Sequence, residues 1–193
     1  RCTAFIKLLP DYSDVFMSHN TWSDYRQLHS VLKRITLPIP FFNAKTVVLS
    51  TIIGLIGSID DFYVSDSNFM VFETSLLNCN ETLAKSYIKP ERLNYWIRGN
   101  TAMFMATSAE NWVDLFIKDN SGTYNNDYYV IDINKFTPGQ KPEKDLVWLI
   151  EQTPSDKVYK SDVTSNLTRK GHISSFNVPV STEIYDLMDY ASL

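Results

Sequence analysis

The order of secondary-structure signals along the chain predicts an α+β fold, in which two antiparallel sheets pack face to face with helices outside as a four-layer αββα sandwich. Two observations carry this. Runs of β-branched and aromatic residues bounded by turn residues occupy the first third of the chain, helical spacing occupies the middle, and β-type runs return after Tyr128. The 193 residues, 44% hydrophobic and 13% aromatic, are enough for one domain over residues 1–193 with a substantial core.

Cys2 to Pro10 is apolar and β-prone, Asp11 to Asp14 supplies turn residues, and Val15 to His19 reads as a second strand, so the opening is a hairpin with Cys2 near one end. After Ser23, a good N-cap, Tyr25, Leu28, Val31, Leu32 and Ile35 recur at helical spacing until Pro38, which predicts an amphipathic helix of about three turns. Lys45 to Ile53, Phe62 to Ser65 and Asn68 to Ser75 read as strands of a meander, with Ser65-Asp66-Ser67 as the last turn. Pro90 opens a helical region carrying Leu93, Trp96, Ile97 and Met103, and Ser108 caps another with Trp112, Leu115 and Phe116. Asn120-Ser121-Gly122 ends it. Tyr128 to Ile133 and Leu146 to Glu151 are the next strands, separated by a loop from Thr137 to Lys144. A polar segment from Ser155 to Lys170, a short strand from His172 to Val178 and a helix from Thr182 to Tyr190 complete the chain.

Composition narrows the function. The formal charge of −4 comes from mixed signs with no basic stripe to neutralise phosphates, so nucleic acid is not an expected partner. The longest apolar stretch, Thr46 to Ile59, is broken by Ser50, Gly54, Gly57 and Ser58 and falls short of the ~20 residues of a membrane span. It reads as buried strand and turn. No initiator Met or charged-then-apolar leader opens the chain, so the numbering is expected to begin inside a longer precursor. Two cysteines do not make a disulfide framework. Asn80-Glu81-Thr82 and Asn166-Leu167-Thr168 are N-glycosylation acceptors in polar stretches, which favours the secretory route.

Several residues are able to carry chemistry. A thiol on an apolar strand is ordinarily a small inert hydrophobe, and without an activating base it stays unreactive. The position of Cys2 changes that reading. A cut between Arg1 and Cys2 would place an α-amine of ordinary pKa about 7.7–8.0 beside the thiol, and one residue would then supply nucleophile and base. His19 ends the strand that pairs with the Cys2 strand and can approach the thiol across the hairpin, or else serve as a turn histidine bonded to backbone. His29 reads as a surface or packing residue, His172 precedes a strand, and the three histidines lack the spacing of a metal site. No cofactor is expected. Asp60 and Asp61 are adjacent on an extended segment and point to opposite faces, which favours a structural role over a catalytic pair. Asn120 to Asn126 is a polar turn without the lysine of a phosphate loop, and the four tryptophans read as core.

Seven strings taken together resemble the phospholipase B-like family: Cys2 to Pro10, Ser18-His-Asn-Thr-Trp22, Asp60-Asp-Phe-Tyr63, Phe72-Glu-Thr74, Asn120 to Asn126, Glu151-Gln-Thr-Pro154 and Phe176-Asn-Val-Pro179. They run in the family's order across nearly the whole chain. The resemblance implies a precursor that cleaves itself before the cysteine, a truncated αββα fold of the N-terminal-nucleophile hydrolase type, and residence in lysosomes or outside the cell. By the same resemblance Cys2 is the nucleophile, His19 the active-site histidine and Asn177 the active-site asparagine and oxyanion donor. Trp22 and Thr74 fall in strings expected near the same pocket. Arg1 departs from the smaller residue or histidine expected before the cut, and the family extends beyond Leu193, so the chain's partners include the remaining segments of its own precursor.

The substrate implied is a phospholipid or another lipid acyl or amide compound. Phospholipid deacylation and hydrolysis of a linear N-acyl amide use the same residues. The rivals are a lysosomal or secreted glycoprotein that binds lipid without catalysis, and an ordinary thiol hydrolase with a Cys-His-Asn set and no free amine.

Overall fold

The computed structural model describes residues 1–58 and 60–193. Ile59, the end of the apolar stretch singled out above, lies outside the described residues. Among the described residues, ten strands form two antiparallel sheets, and five α-helices complete the α+β arrangement.

The smaller sheet has the opening hairpin at its centre. Strands β1 (Cys2–Leu8) and β2 (Val15–Thr21) pair in register from Cys2 opposite Thr21 to Leu8 opposite Val15. Tyr12 takes a left-handed conformation (φ 58°) in the connection, where Asp11 accepts the Ser13 amide at 3.1 Å. The strand β10 (His172–Ser175) pairs along the other edge of β1. It stops at Ser175, short of the expected Val178, because Asn177 adopts a left-handed backbone (φ 67°) that no strand accommodates.

The expected helix between Ser23 and Pro38 is not formed. A 3-10 turn, Tyr25–Leu28, is capped by Asp24, and the chain then runs as β3 (Ser30–Thr36) along the edge of the larger sheet. The ambiguity was physical: Val31 and Ile35 are four residues apart, an interval that places side chains on one face of a helix and of a strand alike. Pairing of all seven residues with β4 (Thr46–Ile52), together with three β-branched side chains, decides for the strand. His29 lies just after the turn and is exposed.

From β4 the sheet continues through β5 (Phe62–Ser65), β6 (Phe69–Ser75), β7 (Asn126–Asp132), β8 (Val147–Gln152) and β9 (Val158–Asp162), in sequence order. The helices are α1 (Glu81–Tyr87), α2 (Tyr95–Met105), α3 (Ala109–Phe116), α4 (Thr164–Lys170) and α5 (Thr182–Leu187). Pro90 does not open a helix; α2 begins at Tyr95 after Asn94, beyond the turn that holds the proline. Ser108 caps α3 by accepting the Asn111 amide, as its position suggests. Both β9 and α4 fall in the stretch read as merely polar. Strand β9 buries none of its residues fully and α4 buries only Thr164 and Leu167, so neither carries a periodic apolar signal. The glycosylation candidates sit at helices: Asn80 caps α1 and Asn166 lies inside α4.

Two apolar clusters fix the layers. Trp112, Val113 and Phe116 of α3 and Met103 of α2 pack on Tyr128, Val130 and Ile150 of the larger sheet. Ala4, Ile6 and Leu8 of β1 pack on its other face against Phe72, Tyr129, Ile131 and Leu149. The order is therefore helix, sheet, sheet. Each large side chain buried this way contributes about 1.5–3 kcal/mol. The outward face of the small sheet carries Phe5 and Phe16, both exposed. Among the described residues, no helix is long and apolar enough to cross a membrane.

Candidate active site

Alternation along β1 turns Ala4, Ile6 and Leu8 inward, and by the same period Cys2 is inward and buried. Its backbone N–H donates to Oδ1 of Asn177 at 3.0 Å. Asn177 is fixed on every side: Nδ2 donates to the Ser75 carbonyl at 2.8 Å, its own N–H donates to Thr74 Oγ1 at 3.3 Å, and its carbonyl accepts from Tyr190 at 3.2 Å. The amide cannot be reversed. A flip would set a donor against the Cys2 N–H and an acceptor against the Ser75 carbonyl.

Thr74, fully buried, passes the chain of bonds onward. Its hydroxyl shares a 2.5 Å hydrogen bond with Ser175, and Ser175 donates to Asp127 Oδ2 at 3.2 Å. Thr74 accepts from Asn177, so its proton goes to Ser175 and the Ser175 proton to Asp127. Asp127 is held well above the usual carboxylate range by burial and by Glu151 across the strand pair. A neutral acid therefore ends the relay.

His19 pairs opposite Ala4 and faces inward with Cys2. Its Nε2 lies 2.7 Å from the Glu73 carbonyl oxygen, which makes that nitrogen the proton donor. Burial pulls its pKa below the ordinary value, so the ring is neutral at neutral pH. A thiolate–imidazolium pair is thus not what this histidine supports.

Beside the thiol lies a buried acid pair that the sequence reading did not assemble. Glu73 Oε1 is 4.0 Å from Cys2 Sγ, and the Tyr124 hydroxyl donates to Asp61 Oδ2 while lying 3.4 Å from Glu73 Oε1. Burial pushes Asp61 up to about 6 and, together with the charge of Asp61, raises Glu73 well above the carboxylate range. Burial, with Asp61 adding to it, also raises the Cys2 thiol. Cys2 rests as a thiol and would need a base in order to act as a nucleophile. Asp60 and Asp61 do point apart, though not by strand alternation: they precede β5, Asp60 accepts from Ser50 at 2.6 Å, and Asp61, with a left-handed backbone (φ 59°), turns into the interior. Glu73 had one signal in sequence, an acid directly after the apolar run Phe69 to Phe72 of β6; Tyr124 had none beyond its place in the turn.

Trp22 and Arg1 extend the hairpin ladder. The Trp22 N–H donates to the Arg1 carbonyl at 2.6 Å, and the Arg1 amino group donates to the Trp22 carbonyl at 2.9 Å. The carbonyl of the Arg1–Cys2 peptide bond is thereby held by a backbone donor. The Trp22 ring is exposed and bonds Thr3 at 3.2 Å, a residue whose side chain alternates away from Cys2. His172 is exposed and stacks on Phe5, and Cys2 and Cys79 are both free thiols.

A cavity of about 670 Å³ opens beside His19, between β2 and the β3–β4 edge. Met17, Leu28, Leu32 and Phe62 give it apolar wall, and Asn20 and Asp60 give it polar wall. A buried thiol with its nitrogen clamped, a fixed amide, a neutral histidine and a mixed cavity form a site suited to acyl transfer.

The family model described as Phospholipase B matches residues 1–193. Phospholipase B-like protein F of Dictyostelium discoideum is 34% identical over 192 residues, 99% of this chain and 34% of that protein. Phospholipase B of Crotalus adamanteus is 35% identical over 191 residues, 98% of this chain and 34% of that protein. Phospholipase B-like 1 of Homo sapiens is 33% identical over 194 residues, 100% of this chain and 34% of that protein. The chain spans about a third of the length of these relatives.

Proposed function

The chain belongs to the phospholipase B family, and from that premise we propose that it carries the nucleophile of a hydrolase that releases fatty acids from phospholipids or related lipid acyl and amide substrates. In this reading the precursor cuts itself between Arg1 and Cys2, and the fold is that of the N-terminal-nucleophile hydrolases. The fourth, helical layer then comes from other segments of the same precursor, laid over the open face around Phe5 and Phe16. The protein works in lysosomes or outside the cell, with Asn80 and Asn166 as glycan acceptors.

The observation that supports this reading best is the bond from the Cys2 nitrogen to Asn177 Oδ1. That nitrogen becomes the α-amine after cleavage, and the same oxygen then holds it beside its own thiol. The amine takes the thiol proton as sulfur attacks the substrate carbonyl. Asn177 has a second Nδ2 hydrogen, besides the one on Ser75, to offer the oxyanion with a backbone N–H. The protonated amine gives that proton to the alcohol or amine leaving group as the carbonyl re-forms and the acyl thioester results; water then attacks the thioester, the acid leaves, and the thiol is restored. The neutral His19, facing both the thiol and the cavity, orients the substrate. An ordinary thiol hydrolase would instead need His19 Nδ1 as base, and burial, which lowers the pKa of this ring, disfavours the imidazolium that would result.

Cys2→Ala in the whole protein should abolish both the appearance of a chain beginning at residue 2, read by intact mass, and acyl hydrolysis. Normal processing of Cys2→Ala would sink the assignment.

A further inference from the structure

We propose that Cys2, His19 and Glu73 also form a binding site for a thiophilic divalent cation of the zinc class, and that such an ion holds the hydrolase inactive. One donor atom from each of the three residues lies within 4.8 Å of the others. Thiolate, imidazole and carboxylate are the donor types zinc takes, and three protein ligands leave a fourth position for water. Zinc bonds of 2.0–2.3 Å imply donor separations of about 3.3–3.8 Å, so closing the site needs only side-chain rotation over about an ångström.

A second observation, independent of the spacing, points to a ligand. Glu73 is fully buried, and its Oε2 has no hydrogen-bond partner. An orphaned carboxylate oxygen at that depth costs about 1–3 kcal/mol, and more if charged. Asp61 sits beside it, equally buried, and among the described residues neither acid has a lysine or arginine in an ion pair. A divalent ion supplies the positive charge this group lacks. His19 lines the 670 Å³ cavity, which gives the ion a way in, and its contact with the Glu73 carbonyl fixes the ring.

On binding, the metal–sulfur and metal–carboxylate bonds form as the thiol proton, and the proton that burial and Asp61 keep on Glu73, pass to solvent. Sulfur held by the metal does not attack a carbonyl. The inhibition therefore rests on Cys2 being the nucleophile, whereas the binding does not.

The probe is Co²⁺ added to the whole protein, followed by electronic absorption. A thiolate-to-cobalt charge-transfer band at one equivalent is expected, unchanged in Cys79→Ser and lost in Cys2→Ser. Glu73→Gln should weaken cobalt binding by about tenfold or more, and His19→Ala gives the same readout if Glu73→Gln does not fold. No band in the wild type, or a band that persists in Cys2→Ser, overturns the site. Zn²⁺ should abolish acyl hydrolysis and a chelator restore it. Full hydrolysis by protein carrying the bound ion would keep the site and overturn the nucleophile instead.

Discussion

Strands β6, β7 and β8 are each two different materials end to end. In one half, Phe69 to Phe72, Tyr128 to Ile131 and Val147 to Ile150 feed the two apolar clusters. In the other, Glu73 and Thr74, Asn126 and Asp127, and Glu151 and Gln152 are just as buried. The change falls at one level across neighbouring strands, since Thr74 pairs with Asp127 and Asp127 with Glu151. Buried atoms without a partner gather in the polar half: Glu73 Oε2, Asn126 Oδ1, Asp127 Oδ1 and Gln152 Oε1. Packing alone would have filled these positions with apolar side chains at lower cost. The apolar half holds the fold, and the polar half lies next to Cys2, at the candidate site.

The comparison breaks most readily in the apolar half. Trp112 is fully buried and stacks on Phe116 at 4.7 Å. Trp112→Ala should cost about 3–5 kcal/mol in urea unfolding. A loss below about 1 kcal/mol would mean that the helix-backed cluster is not what holds the sheet.

In the polar half the large effect should fall on rate. Asn177→Ala removes the clamp on the Cys2 nitrogen together with the proposed oxyanion donor, so kcat should fall about 10²–10³-fold. An unchanged kcat with a raised KM would reassign Asn177 to substrate binding.

This division also explains what the sequence disclosed. The apolar halves announce themselves by alternation and by β-branched residues, so eight of the ten described strands and the helix after Ser108 were legible. The segment from Ser30 to Thr36 was not, because spacing of four fits both periods until a partner strand is known. The short helix after Thr164 and the edge strand after Val158 bury too little to leave a pattern. Cys2 and His19 were reached from chain position and hairpin pairing as well as through family strings, Thr74 and Asn177 through the strings alone, and the structure brings all four to one end of the sheets. Trp22 belongs there by backbone only. Asp61, Glu73 and Tyr124 escaped because their meeting depends on two left-handed residues, Asp61 (φ 59°) and Tyr124 (φ 56°), that aim distant segments at one point.

The pH dependence of stability sharpens the contrast. Glu151 accepts the Val180 and Ser181 amides at the start of α5, yet burial prevails and pushes its pKa up to about 7 from an ordinary 4.5. The folded chain keeps this proton where the unfolded chain has lost it. Its contribution is therefore fully present below pH 4.5, falls as pH rises, and is gone above about 7. Glu151→Gln should flatten that window in a series of urea titrations. A wild-type stability that rises across it, by an amount Glu151→Gln removes, would reverse the assignment.

The smallest effect should come from Asp127→Asn, and its smallness is the point. Asp127 ends the relay that runs from the Asn177 N–H through the hydroxyls of Thr74 and Ser175, and it takes part there as an acceptor, through Oδ2. Burial and Glu151 hold it in the protonated form, while Oδ1 has no partner. A neutral carboxylic acid offers one accepting oxygen in use and one donor group unpaired. An asparagine with its oxygen toward Ser175 offers the same, at nearly the same volume. Stability at neutral pH should therefore change by no more than about 1 kcal/mol in either direction. If Asp127 were instead ionised in the folded chain, the amide would remove a buried charge together with whatever balances it, and the loss should reach about 3 kcal/mol or more. Urea unfolding of Asp127→Asn separates the two: a loss of that size would mean that the polar half carries fixed charge, where the geometry here makes Asp127 a neutral acid at the end of a hydrogen-bond relay.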